Sequence, residues 1–494
     1  MKKKVLISLA AMFAVLMTTP LALTAQAADQ NTELTMTFIT FGPVPQEMQR
    51  VQDELNKLLS KKIGATVKLL PINAGAWAQQ ANLMLASGEN LDLMIDGTLG
   101  FFTLSSHVSK NQLLPLDDLV AKYGQGISKS MDSVFLNAGK VNGKLYILPV
   151  IHEFGGNFVI CMRKDIVDKL KIDVSKIKTY NDVEATLLKV KKAYPDVVPL
   201  VPQDAQSTIV KGMHDWDRLG IDIGAIADSG ATLKVVDIYE TKEYADLIKR
   251  AHKWYQEGLI LKDAATSKDD WSTYVKANRA FAFLGMAKPG FDVQESLQVG
   301  QPMVTAELIP PYCTTDNVID FGWTIPRNSK NPEKAMQLLN LLYSDPEVFN
   351  LLVYGTEGKD YVKIGNNMID FPKGLDSNSV GYSLSGYSWE LGNQFQGYVF
   401  KGNTPTIWED TKAFNGRALK SKALGFVFDS TPVKDEVAAC QNVLNRYVPG
   451  LEMGVLDPRT LTDFIAKLKA AGGDKIIAEK QRQIDAWANA NGMK

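Results

Sequence analysis

The sequence predicts an α/β fold of two lobes that meet across a cleft, and three observations carry that expectation. At 494 residues the chain exceeds the size at which one hydrophobic core keeps growing, so two cores are expected. Short apolar strands alternate with amphipathic helices from Leu34 onward, the pattern of sheets covered by helices. Between two such regions lies Val141–Asp165, VNGKLYILPVIHEFGGNFVICMRKD, which reads as a crossover from one sheet to the other. Within it, Asn142-Gly143 is a tight-turn dipeptide and Lys144–Leu148 a short strand that Pro149 keeps from extending centrally. Gly155-Gly156 then gives backbone freedom before a second strand at Phe158–Met162.

The elements follow in order. Leu34–Phe41 alternates as a strand, and Gly42-Pro43-Val44-Pro45 makes a rigid loop opening a helix with Met48, Val51, Leu55 and Leu58 on one face. Gly64 ends that helix before a strand at Thr66–Leu70. A helix around Trp77–Ala86 leads to the strand Leu91–Ile95, which closes with Asp96-Gly97. This βαβαβ run predicts a parallel sheet whose carboxyl-end loops are open to a ligand. After the crossover, Thr179 with Asp182 resembles a capping box for a helix ending near Pro195. A strand VVPLV follows, then a helix from Thr241 to about Gly258 with Tyr244, Leu247, Ile248, Ala251 and Trp254 on one face. Arg279–Leu284 reads as a strand leading into Lys288-Pro289-Gly290, and Met303–Leu308 as the next strand. IPPYCTTDNVIDFGWTIPRNS reads as a second linker, leaving through Pro310-Pro311 and entering a strand with Phe321 and Trp323. The helix Pro332–Tyr343 then packs on the first lobe, and a further passage near Gly355–Tyr361 returns to the second. Phe371–Asn403 is loop chemistry rich in Gly, Ser, Asn and aromatics, and helices around Thr460–Ala471 and Asp474–Ala488 close the chain. The expected division is residues 28–150 with about 318–356 in the first lobe, and 151–317 with about 357–494 in the second.

Residues 1–27 have the three parts of a secretory signal: Lys2-Lys3-Lys4, an apolar run from Val5 to Met17, and Ala25-Gln26-Ala27 at the cleavage position. The mature chain is expected to begin at Ala28 and to reside in a periplasm or the medium. Lysine and arginine total 54 against 55 acidic residues; without the three leader lysines the count is 51 against 55, no footprint for nucleic acid. Cys161, Cys313 and Cys440 allow at most one disulfide, with Cys161 and Cys313 near the two crossovers, and read as free buried thiols.

Catalytic constellations are missing from the sequence. There is no HExxH or CxxC, and His107, His152, His214 and His252 are dispersed, so no catalytic metal is expected, while a calcium ion bracing a loop stays open. GYSLSG at Gly381 is not a nucleophile elbow, and no Gly-rich phosphate loop opens a helix. Asp269-Asp270 and Glu409-Asp410 are adjacent pairs rather than two carboxyls flanking one bond. No cofactor is expected.

The crossover core GKLYILPV resembles the first inter-lobe segment of extracytoplasmic solute-binding proteins that serve ABC importers. The resemblance extends to ASGENLDLMIDG at Ala86–Gly97, to NPEKAMQLLNLLYSDPEVFNLLVYGTEGKDYV at Asn331–Val362, and to the tail from LGFVFD to EKQRQIDAWAN, all similar to the oligosaccharide-type lipoprotein branch. It implies a periplasmic-binding-protein fold with hinge crossovers, a carbohydrate ligand, and the membrane subunits of an ABC importer as partners to a monomeric carrier that is not an enzyme. Many relatives carry a lipid-modified cysteine at the cleavage site, which this chain lacks. A secreted carbohydrate-active enzyme, or a binding protein for peptides or another polar solute, stays open as an alternative.

A sugar offers apolar faces and a rim of hydroxyls, so its site needs flat aromatics and planar polar groups. The candidates are Trp77 after Gly75-Ala76 at a helix start, Trp216 in HDWDR, Trp271 after Asp269-Asp270, Trp323 in the strand leaving the linker, and Trp389 beside the late aromatic loop. Each serves equally as core. Asp96, at a strand's carboxyl end, is placed to accept two hydroxyls or to cap its own turn. His152, Glu153 and Phe154 lie in the crossover and so on the cleft floor, Lys288 in a loop after a strand, and Phe41, a weaker candidate, at the end of the first strand.

Overall fold

The computed structural model describes residues 31–98, 102, 104–204 and 207–493, so the leader expected at residues 1–27 lies outside the described residues. Two five-stranded sheets, each with its own hydrophobic core, form the two lobes. In the first, Ala65–Asn73, Thr32–Thr40 and Leu93–Asp96 lie parallel, Gly322–Thr324 adds antiparallel, and Leu148–Pro149 forms the edge. The parallel trio follows from the βαβαβ run. The helix Met48–Ile63 buries Val51, Leu55 and Leu59 and closes on Gly64 at a φ of 60°. The helix Ala74–Ser87 opens on Asn73, whose side chain accepts the Gly75 N–H at 3.0 Å. Pro149 occupies an edge strand, where a missing N–H is tolerated, and Asn142 and Gly143, at φ 51° and 79°, make the expected hairpin turn.

The second sheet is mixed. Its order is Leu419–Lys420, Met303–Cys313, Gly156–Arg163, Ala280–Ala287 and Val198–Val201, with antiparallel central pairs and parallel outer ones. Gly156–Arg163 is buried along its whole length, as an unbroken apolar run between two neighbours requires. Met303–Cys313 runs past the expected end at Leu308 and carries Pro310 and Pro311 in the second of its two register shifts, where the absent N–H groups break no regular ladder. Thr179 and Asp182 make the full capping box of the helix Tyr180–Ala193, and the helix Lys242–Gln256 buries the five residues of its predicted face.

The last passage between lobes differs from the expectation near Gly355–Tyr361. Tyr361, Ile369, Tyr382, Leu384 and Leu391 all pack into the first core, and the chain enters the second core only at Ala423. The reason is local. The aromatic-rich stretch has no periodic face, so its rings dock one by one on the helix Pro346–Tyr354, where Leu384 N–H donates to the Val353 carbonyl at 2.8 Å and the Tyr382 hydroxyl to that of Leu352. Three helices, Lys434–Glu452, Leu461–Ala470 and Gly473–Ala490, then pack Leu444, Phe464, Leu468 and Ile484 into the second core. Cys161, Cys313 and Cys440 are each free and buried. Among the described residues no helix is long and apolar enough to cross a membrane.

The passages between lobes meet backbone to backbone: a Cβ on Gly155 would lie 2.3 Å from the Tyr312 carbonyl oxygen. Gly155→Ala is therefore expected to destabilise the protein by about 1–3 kcal/mol. Gly416→Ala, in a helix with open space around it, is expected to be neutral or stabilising by up to about 1 kcal/mol. Denaturant melting of the two variants checks the contrast.

Candidate functional site

The floor of the cleft is a row of alternating charge. Lys288, just beyond the strand Ala280–Ala287 of the second lobe, donates to Glu153 Oε1 at 2.5 Å. Glu153 Oε2 lies 3.6 Å from His152 Nδ1, and His152 Nε2 lies 3.4 Å from Asp320 Oδ1 on the next passage between lobes. Neither imidazole nitrogen has a hydrogen bond of good geometry, so the attraction is between charges rather than a directed bond. Burial alone would push the imidazole down, but Asp320 and then Glu153 overcome it and hold the ring up at about 9. Burial likewise favours neutral Glu153, yet Lys288 and His152 hold its carboxyl well below the usual range. Asn415, from the helix Ile407–Arg417, fixes this segment: its Oδ1 accepts the Phe154 N–H and its Nδ2 donates to the His152 carbonyl, each at 2.8 Å.

On the second-lobe side a cavity of about 290 Å3, at the small end for ligand pockets, is lined by Lys211, His214, Trp216, Arg218, Met286 and Asp316. The Trp216 and His214 rings stack at 3.7 Å, and the indole Nε1–H donates to Glu243 at 3.1 Å. Burial, with Arg218 and Lys211 nearby, keeps His214 well below its ordinary pKa and so uncharged. Arg218 is paired with Asp222. Asp316 is raised to about 6 by burial and by Asp217, against the Gly220 N–H that donates to it at 2.9 Å.

The first-lobe side carries rings. Phe41, 53% exposed at the carboxyl end of its strand, lies nearly parallel to Tyr387 at 6.4 Å and 6.3 Å from Trp389. Trp389 packs edge-on against Phe321, the residue after Asp320, at 4.4 Å. An apolar platform thus runs from the cleft mouth to the charged floor.

The structure separates the predicted residues into two groups. His152, Glu153 and Lys288 meet in the charged row, Trp389 joins the Phe41 platform, Trp216 borders the second-lobe cavity although it is 3% exposed and packed in the second core, and Phe154 packs on Phe135 at 4.3 Å. Trp77, Trp271 and Trp323 are core instead. Trp77 packs edge-on against Phe102, Trp271 stacks on Phe283 at 4.5 Å, and Trp323 is fully buried in a strand paired on both sides. Asp96 is buried with both oxygens engaged, Oδ2 with His107 Nδ1 at 2.7 Å and Oδ1 with the Gly97 N–H at 2.9 Å, so it does not present a free carboxylate to the cleft. The polar neighbours of Trp271 do not mark a ligand site, since Asp270 is spent capping the helix that Trp271 begins. Asn415, Asp320 and Arg218 were missed, because single polar residues in irregular segments leave no pattern. Among the described residues no cluster of three or more His, Cys, Asp or Glu is placed to hold a metal.

Comparison with known proteins gives two family matches: "Bacterial extracellular solute-binding protein" over residues 42–348 and "Domain of unknown function (DUF3502)" over residues 422–489. A Streptococcus pneumoniae relative named "Carbohydrate ABC transporter substrate-binding protein" is 29% identical, covering 94% of this chain and 92% of its own. Lipoprotein LipO of Bacillus subtilis is 23% identical over 86% of this chain and 87% of its own. Among solved structures, the N-glycan transport solute binding protein NgtS of Streptococcus pneumoniae matches with a TM-score of 0.81 at 27% identity, covering 93% of this chain and 99% of that one. Its complexes with Man1GlcNAc and Man5GlcNAc match at 0.71 and 0.68.

The charged floor has a measurable signature. With a folded pKa of about 9 against the ordinary 6.5, the stability contributed by the His152 imidazolium is whole below pH 6.5 and is lost as the pH rises through 9. The stability gap between the wild type and His152→Gln is expected to narrow by about 1–3 kcal/mol from pH 6 to pH 9.5. A gap that stays constant in denaturant melts at both pH values would rule out the charged imidazole.

Proposed function

The chain belongs to the bacterial extracellular solute-binding protein family, and from that premise we propose that it captures an oligosaccharide between its lobes and delivers it to the membrane subunits of an ABC importer. The observation that carries this reading is a pair of unlike surfaces, one on each lobe: a partly exposed aromatic platform of Phe41 with Tyr387 and Trp389, and a cavity lined by polar and charged groups beside Trp216. Rings cover the C–H faces of a sugar while polar side chains satisfy its hydroxyls. Glycans of the Man1GlcNAc and Man5GlcNAc type are the first candidates, because the NgtS match covers nearly the whole of both chains. Closure of the lobes is the working step. The three NgtS structures match this chain to different degrees at nearly the same identity, which supports a hinge whose setting varies. A ligand that touches both walls only when they approach shifts the population toward the closed form by its differential affinity. In this reading the protein is a monomeric carrier, exported with loss of residues 1–27, and makes or breaks no bond.

Thermal melting of residues 28–494 against Man1GlcNAc, Man5GlcNAc, other oligosaccharides and a peptide mixture tests the proposal, with product analysis of the same samples. A glycan at one hundred times its Kd is expected to stabilise the fold by about 2.7 kcal/mol and to be recovered intact. Cleavage of the glycan would make the protein an enzyme, and a shift with peptides alone would assign it another solute. Phe41→Ala is expected to weaken glycan binding about tenfold, or ~1.4 kcal/mol, while changing the ligand-free stability by less than about 0.5 kcal/mol.

A further inference from the structure

We propose that Lys480, in the C-terminal helix Gly473–Ala490, is a positioning residue for ligand binding, holding the loop 218–224 in the shape that forms the second-lobe wall of the cleft. This gives a role to the C-terminal region that matches a domain of unknown function, and its affinity arm rests on the glycan reading above. Lys480 is wholly buried, and its Nζ donates to the carbonyls of Arg218 at 2.7 Å, Ile221 at 3.0 Å and Gly224 at 2.7 Å. Three acceptors match the three donors of an ammonium group, so these bonds leave the side chain fully satisfied. Burial pushes that ammonium down to about 7, while Asp316, Asp217 and Asp222 pull it up.

The loop needs such a clamp. Leu219, Gly220 and Gly224 have φ values of 52°, 90° and 71°, and for a leucine the left-handed region is strained. The three carbonyls that Lys480 gathers thus belong to a sharply turned segment rather than to a sheet ladder. The same loop supplies function at both ends of its reach. Arg218 lines the cavity with Trp216 just before it, and Gly220 N–H donates to Asp316 on the passage between lobes. Gln481 extends the brace, accepting the Val235 N–H at 2.8 Å and donating to the Leu233 carbonyl at 3.1 Å. One helix outside the cleft therefore sets both a wall of the cleft and its tie to the hinge.

The test compares Lys480→Met with Leu468→Ala, a core substitution on the neighbouring helix, both in the full mature chain. Hydrogen exchange is expected to speed up about tenfold or more at the amides of residues 219–226 in Lys480→Met but not in Leu468→Ala, with first-lobe amides unchanged in both. Titration with Man1GlcNAc is expected to show about tenfold weaker binding for Lys480→Met and wild-type binding for Leu468→Ala, even where the two melt at similar temperatures. Loop exchange that is unchanged, or that rises equally in both variants, overturns the brace. If the wild type does not bind Man1GlcNAc, that result counts against the glycan reading, and the exchange comparison still decides the brace. Should Lys480→Met fail to fold, Lys480→Gln serves in both measurements with the same criteria.

Discussion

An imidazolium held between two carboxylates, one of them tied to a lysine from the opposite lobe, is the interaction on which the cleft depends. His152 sits where the chain changes lobes, so its charge is set by groups that reach it from several segments: Glu153 beside it, Asp320 on the next passage, and Lys288 through Glu153 from the second sheet. Any rotation of the lobes must keep these charges near one another or expose them to water. A buried charge without partners is costly, and a row with alternating signs keeps every member compensated. Breaking the row would leave the buried imidazolium uncompensated. Asn415 clamps the backbone of His152 and Phe154 from a third segment.

The two walls above this floor are made differently. The first-lobe wall stands on the parallel strands of its sheet, the end of Thr32–Thr40 presenting Phe41 directly, with Trp389 and Tyr387 supplied by a late irregular stretch. The second-lobe wall is a turned loop that no sheet supports, and the C-terminal helix supplies its support from behind. A rigid aromatic face opposite a braced polar one suits a ligand with apolar faces and a hydroxyl edge. It also places both surfaces on segments whose shape is fixed by packing elsewhere.

Much of this architecture was legible in the sequence because it rests on local rules. Asn142-Gly143 gave its hairpin turn, Thr179 and Asp182 their capping box, and the face from Tyr244 to Trp254 its helix, since turn dihedrals, caps and helical spacing act within a few residues. The passage back to the second lobe was not legible, because Tyr382 and Leu384 dock singly on a helix far from the position their neighbours suggest. The tryptophans were a coin toss for the same reason. Trp271 and Trp389 both stand near polar residues, yet one is buried on Phe283 and the other rims the cleft, a distinction made only by the tertiary fold. Lys480 was hidden still more deeply: in a helix rich in charge it reads as one more solvated lysine, and only the packed structure shows three carbonyls converging on it.

Cys161, Cys313 and Cys440 stand apart from all of this, each buried and free, with burial pushing Cys161 well up, Cys313 up to about 12 and Cys440 up to about 11. At neutral pH such thiols carry almost no thiolate, the form that attacks disulfides and oxidants. The fold thus rests on no disulfide among these three cysteines. Reductants that unravel disulfide-stapled proteins therefore have no bond to break here.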